Sequence, residues 1–492
     1  MFSLGLALAG LMLAATTLRA QDQEKSESKP KAKLSKGDLK MIRPLYLKAM
    51  EKGNNSGVRK LREALEKWSE KKGVGDALAD TEAWNTLHAE HHTARMKAKK
   101  MKKGVSVSRV SFKVQGEAVE FEYAVSVPKK YDPKVSWPVI LCFHDRKSAR
   151  VYGTGKDYIN KVWLANKATR AVADKFIIIA PTISDKSRKS KNAAERDFKW
   201  FDALHAQAMV RPLRTVQQSF NIDIERVFVE GSGRGATMAL ELAALFGIDS
   251  FAGVIARQGV LQKKALFPGL AQLPTLLIHR KPHKKERDGK TRAEEWAAFK
   301  KIVVEQKWNA EILELDAPEK LNTKVLGGQI IDPVWDAADK IAAFIEGKKL
   351  EAYPPKMRIV TDNPIFRSAS YVRINGHDIG REKNEGAIDI LFEIDKEANT
   401  IRVTGDGVHS LSFFLNDEIL DLDRPVRIFA NGIPVIAKIP ARSVSEMIRS
   451  MRGRPYDTVR FKTTTIVVTE LSPAEQNAKT EEGDEKKEEE KS

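Results

Sequence analysis

The chain has one cysteine in 492 residues, Cys142, so no disulfide can form within it and stability must come from a packed core. Cys142 lies in the apolar run 139–143, where a small buried residue on a central strand is the plain reading and a catalytic thiol the alternative. Long apolar runs are also lacking. The one at residues 4–17 is too short to span a bilayer, so no stable membrane span is expected. It ends at Leu18-Arg19-Ala20, with a small residue where signal peptidase needs one. Residues 1–20 therefore read as a cleaved secretory signal, although its first residues carry no Lys or Arg, and the protein as secreted or periplasmic. No cysteine comes soon after it, which argues against a lipid anchor. Aromatic residues are absent from the basic clusters at 97–103 and 186–191. Those clusters lack the stacking platforms of a single-strand binder, and no nucleic-acid module is recognisable. The net charge of +18 suits an anionic polysaccharide or lipid head group better than nucleic acid, with a solvated basic surface as the plain reading.

With 42% hydrophobic and 30% charged residues, the chain has room for two or three domains. Residues 21–37 are Lys, Ser and Glu with little to bury and read as a disordered leader. Residues 38–104 read as about three helices packed on the adjoining domain, since Leu61, Leu65 and Trp68, then Trp84, Leu87 and His91, recur at three-to-four spacing. His88 and His92 are one helical turn apart, with His91 beside them. Without an H-E-x-x-H order or a third ligand at matched spacing, they read as a wet helix face, and no metal or other cofactor is expected.

From residue 105 the period changes. Alternating strands at 107–114 and 119–127 precede continuous apolar runs at 139–143, 176–180, 227–229, 251–255, 275–278 and 311–315. Helical stretches at 161–174, 205–220, 237–246, 293–307 and 335–346 lie between them, which predicts an α/β unit over 105–350 with a mainly parallel sheet covered on both faces. Residues 351–369, with Pro354-Pro355, read as a linker. Residues 370–471 read as a β-sandwich, with turns at Asn375-Gly376, 405–407 and Asn431-Gly432. Residues 472–492 are Glu and Lys, a disordered charged tail.

One segment carries chemistry. Val227-Phe228-Val229-Glu230-Gly231-Ser232-Gly233-Arg234-Gly235-Ala236 reads as strand, sharp turn and helix start, the layout of the nucleophile elbow G-x-S-x-G. Gly231 and Gly235 take the flanking glycine positions, so the middle position is Gly233, which has no side chain. Placing Ser232 in the middle would put Glu230 and Arg234 where helix and strand pass close together, and both are bulky.

These residues, with EYAVSVPKKYD at 122–132, WPVILCFH at 137–144, IIAPT at 178–182 and FAGVIARQG at 251–259, resemble the α/β-hydrolase superfamily over 119–346. The flavour is that of secreted carboxylesterases of the polyhydroxybutyrate depolymerase, feruloyl esterase and dienelactone hydrolase type. Residues 399–402, 420–426 and Asn431-Gly432 resemble, more weakly, the C-terminal sandwich attached to some bacterial members. The resemblance implies a doubly wound α/β-hydrolase sheet and a Ser, acid and His set at its carboxyl edge. It places the nucleophile at Gly233. The oxyanion donors would be the Arg234 N–H and one from the loop beginning His144-Asp145, where relatives carry His-Gly. Asp145 brings negative charge to a place that must stabilise negative charge. The acid falls at His283, with Glu286 or Asp288 as substitutes only through a shifted loop. No histidine exists between Lys284 and Gly376, and Gln329 stands at the base position.

The resemblance thus implies an esterase-like protein leaning toward no hydrolase activity, because nucleophile, acid and base are all replaced. Loss of one member already costs on the order of 10⁴ to 10⁶ in rate, after which the others are free to drift. Its unknown ligand would meet a polar mouth lined by Asp145, Arg146, Ser232, Arg234, His279 and His283, where the arginines suit an anion such as a carboxylate. The alternative is an active ester hydrolase using Ser232 in a distorted elbow, with His144, His279 or His283 as base.

Overall fold

The computed structural model describes residues 29–97, 102–114, 117–144, 154–182, 203–284, 289–317, 336–362, 367–377 and 387–469. The expected signal at 1–20, most of the leader and the tail at 472–492 lie outside these residues.

Ser35 opens helix α1 (Lys36–Met50) with a capping box, accepting from the Asp38 N–H while the Asp38 carboxylate accepts from the Ser35 N–H. Asn54 caps α2 (Asn55–Lys72), which stops on left-handed Gly73. Helix α3 (Thr81–Lys97) comes next. Order begins before the expected boundary at 37: Ala32 and Leu34 are buried, and the Leu34 N–H donates to Asp80 at 2.7 Å. Two apolar residues on one side of an extended segment suffice, and a composition dominated by Lys and Ser hides them.

The hairpin β1 (Gly104–Val114) and β2 (Glu117–Val127) leads into β3 (Trp137–Phe143) and β4 (Ile177–Pro181). Then come α4 (Ala203–Ser219), β5 (Ile222–Ser232), α5 (Arg234–Ser250), β6 (Gly253–Arg257), β7 (Thr275–Arg280), α6 (Gly289–Glu305), β8 (Ala310–Leu315) and α7 (Ala338–Glu346). The strands form one sheet in the order β1-β2-β4-β3-β5-β6-β7-β8. β2 runs antiparallel to β1 and β4, and every later neighbour is parallel. This is the strand order of the α/β-hydrolase fold. β4 and β6 are buried at every position because helices cover both faces of a parallel sheet. One face packs on Met209, Leu213, Leu240 and Trp296, the other on Tyr158, Trp163, Ile341 and Phe344. The helix expected at 161–174 is broken. A short turn and a π-helical turn, Ile159–Trp163, end before Asn166, which caps a new helix at Lys167–Ala173. The Asn166 carboxamide competes for the backbone and restarts the helix.

Part of the expected linker is structure. β9 (Lys356–Thr361) and β10 (Ser368–Ala369) precede β11 (Val372–His377), β12 (Ile388–Asp395), β13 (Thr400–Gly405), β14 (Val408–Leu415), β15 (Val426–Ala430) and β16 (Ile433–Lys438). Helix α8 (Val444–Gly453) and β17 (Thr464–Thr469) are the last elements among the described residues. Sheets β10-β11-β14-β17 and β16-β15-β13-β12-β9 share one apolar core, a sandwich as the alternation implies.

The N-terminal helices share their core with this last unit. Ile42, Tyr46, Leu61, Leu65, Trp84 and Leu87 cluster with Val444, Met447, Ile448, Met451 and Phe461, so the module packs on α8, a partner at the far end of the sequence. The expected wet histidine face is also corrected, because His88 and His92 are buried. Tyr46 Oη lies 2.8 Å from His88 Nδ1, and burial pushes the His88 imidazole down to about 4, with His91 adding to it. The sandwich is tied to the α/β unit at Asp249, the penultimate residue of α5. Burial alone would raise its carboxyl, but Arg454, Arg460 and Arg214 hold it well below the usual carboxylate range. The Ser370 N–H and the Arg460 guanidinium donate to Asp249 Oδ1 at 3.1 and 3.2 Å.

Candidate functional site at the strand-to-helix bend

β5 is central, between β3 and β6, and Gly233 forms the whole link from its last residue, Ser232, to the first residue of α5, Arg234. Gly233 has φ 56° and ψ −120°, a conformation that costs any residue with a side chain and that glycine adopts freely. Its neighbours fix the bend. A Cβ on Gly231 would overlap the Gly235 carbonyl, and one on Gly235 would overlap the Phe143 carbonyl. The chain leaving β6 closes in as well, since a Cβ on Gly259 would lie 2.5 Å from the Gly233 oxygen. The Gly233 N–H donates to the Arg257 carbonyl at 2.8 Å. The first N–H groups of α5, starting at Arg234, have no acceptor inside the helix.

Ser232 is half-buried and pairs in register with Arg257 of β6. Its hydroxyl makes no hydrogen bond among the described residues. Register continues from Arg257 to Ile278 of β7, so Ser232, Arg257 and Ile278 share one sheet face and His279 takes the other. There His279 stacks on Trp296 of α6 with ring centroids 4.6 Å apart and planes 5° apart. Burial pushes its imidazole down to about 4, with the Arg292 charge adding to it. The stacked imidazole thus lies on the sheet face opposite the one that carries Ser232. His144, one residue beyond β3, is fully buried with its ring 6.1 Å from that of Tyr158. His283 is half-buried after β7, and Arg234 is exposed at the head of α5. Asp145, Arg146, Glu286, Asp288 and Gln329 lie outside the described residues.

Beneath the bend lies a polar cluster that sequence reading missed. Glu230 and Arg257 are fully buried. Arg257 donates from Nε to Glu230 Oε1 at 2.9 Å and from Nη2 to the same oxygen at 2.5 Å. The Tyr158 hydroxyl donates to the Glu230 carboxylate at 3.2 Å and contacts the Arg257 guanidinium. Burial alone would lower the Arg257 pKa, but Glu230 and Tyr158 raise it, so the guanidinium stays charged in the core. Cys142, beside Glu230 in the β3–β5 register, has its thiol pushed well up by burial and then by the Glu230 charge. It is therefore a protonated core residue and no nucleophile. The missed signal was one charge in each of two adjacent buried strands, which only mutual pairing makes tolerable.

No protein-family model matches the chain, and no curated protein matches it. A search of solved structures finds a thermostable esterase at 18% identity, covering 49% of this chain and 63% of that one with a TM-score of 0.37. It also finds a ferulic acid esterase from the anaerobic fungus Anaeromyces mucronatus at 12% identity, covering 52% and 94% with a TM-score of 0.34. A dienelactone hydrolase-like promiscuous phosphotriesterase from metagenomic libraries is 10% identical, covering 50% and 99% with a TM-score of 0.31. The chain thus spans less than two thirds of the thermostable esterase. The α/β-hydrolase-like fold rests on the strand order and the parallel pairing of β3 through β8.

Proposed function

We propose that this chain is an exported α/β-hydrolase-fold protein that does not cleave esters and acts as a binding or structural protein. The observation that carries the reading is Gly233: the bend that would present a nucleophile ends in a residue without a side chain. Three further points support it. Among the described residues the Ser232 hydroxyl lacks the base contact that activates a serine. The two groups with ligand-like chemistry nearest it in register, Glu230 and Arg257, neutralise each other in the core. His279 is held as a stacking partner on the opposite face. Arg234, exposed at a helix N-terminus, suits an anionic ligand such as a carboxylate or an anionic polysaccharide, and Arg146 would add to it. Export rests on the apolar run at 4–17.

The test is hydrolysis of p-nitrophenyl acetate and butyrate by purified protein. The reading expects turnover no faster than that of heat-treated protein. Turnover well above that level, abolished by Ser232→Ala, would establish the esterase alternative.

A further inference from the structure

A cavity away from the bend lies between β1, α4 and α5, with a volume of about 360 Å³. That is within the ~300–1,000 Å³ of small-molecule sites. Its apolar wall is Val110 of β1, Val210 of α4 and Phe246 of α5; its polar wall is Arg211, Arg214, Thr215 and Gln218, all on α4. Arg211, Thr215 and Gln218 recur at four- and three-residue spacing, which puts them on one helix face. Phe246 sits about 18 Å along α5 from Arg234 at 1.5 Å per residue, so this space does not belong to the mouth of the elbow.

The two guanidinium groups differ in state. Arg214 is held in place by the Tyr456 hydroxyl at 3.1 Å, Gln217 at 3.2 Å and Ser250 at 3.3 Å, and lies over the Tyr456 ring. Arg211 is exposed and forms no ion pair among the described residues. One fixed cation and one that is unpaired among the described residues, beside a valine and phenylalanine wall, match a single negative charge attached to an apolar body. A polyanion would leave the apolar wall unused, and a neutral hydrocarbon would leave Arg211 unmatched.

We infer that this cavity binds a small amphiphilic carboxylate, a medium-chain fatty acid anion being the simplest member of the class. Its carboxylate meets the Arg211 guanidinium, since the Thr215 hydroxyl already donates to the Arg211 carbonyl at 3.0 Å, and its chain lies against Val110, Val210 and Phe246. The inference is independent of whether the bend is catalytic, because binding of a carboxylate needs no turnover at Ser232 or Gly233.

The experiment is isothermal titration calorimetry of the purified chain with octanoate, acetate and octan-1-ol. Octanoate is expected to bind saturably with Kd below about 1 mM. Acetate, which lacks the chain, and octan-1-ol, which lacks the charge, are each expected to bind at least tenfold more weakly. Arg211→Gln, an exposed change that leaves the melting temperature unaltered, is expected to weaken octanoate about tenfold. Val110→Asp, which puts a like charge in the apolar wall, is expected to abolish binding. Absence of saturable octanoate binding to the folded protein would overturn the inference. So would equal affinity for octan-1-ol or acetate, or an Arg211→Gln protein that binds octanoate as tightly as the parent.

Discussion

Gly231 and Gly235 pack backbone against backbone across the bend, so that a Cβ on the first would overlap the carbonyl of the second. The relation fixes which residue is the apex. With 231 and 235 both held at contact distance, only Gly233 turns the chain, at φ 56°, and Ser232 stays in the strand.

This geometry separates three alanine substitutions. Gly231→Ala and Gly235→Ala force a methyl group into backbone and are expected to cost about 3 kcal/mol or more each. Gly233→Ala carries the backbone penalty of its positive φ, about 1–2 kcal/mol. Urea midpoints measure the order. A Gly233→Ala protein less stable than the other two would contradict the assignment of the apex.

The buried pair beneath the bend gives a second prediction. Glu230→Gln leaves the Arg257 guanidinium, and Arg257→Met leaves the Glu230 carboxylate, charged in the core without a full partner. Each is expected to cost about 3–5 kcal/mol. The double variant is expected to lose less than the sum of the two by more than about 1 kcal/mol, because neither charge remains. Strict additivity in a double-mutant cycle would show that the pair is not coupled.

The seam between the N-terminal helices and α8 predicts a pH dependence. The folded His88 imidazole titrates at about 4 against about 6.5 when unfolded. Between those values the unfolded chain binds the extra proton, so this contribution is whole above pH 6.5. It falls as pH drops and is lost once pH passes below 4. The separation corresponds to about 3 kcal/mol at 1.36 kcal/mol per pH unit. His88→Leu is expected to flatten the stability profile between pH 6.5 and 4. An unchanged slope would mean that His88 is not the group responsible.

Most of the α/β unit was legible because a covered parallel sheet must be written as continuous apolar runs, as in 139–143 and 275–278. The elbow was legible because Gly231 and Gly235 are demanded by close approach and not by composition. Pairing at a distance could not be seen. The partner of α1–α3 is α8, with Tyr46 and Met451 lying 405 residues apart, and helical periodicity shows an apolar face without naming what covers it. The same limit hid Glu230 with Arg257 and Asp249 with Arg460, and it made the buried His88 and His92 read as solvent-facing. Residues 351–369 read as a linker because Pro354-Pro355 dominates their appearance, although Met357, Ile359 and Val360 are buried in β9.

Covalent labelling distinguishes a bend that bears no attacking atom from one that bears a reactive serine. Purified protein incubated with excess fluorophosphonate probe is analysed by intact mass, with an active serine esterase as positive control. An unshifted mass is expected for the chain under conditions that label the control completely. A single stoichiometric adduct mapped to Ser232 and absent from Ser232→Ala would contradict it.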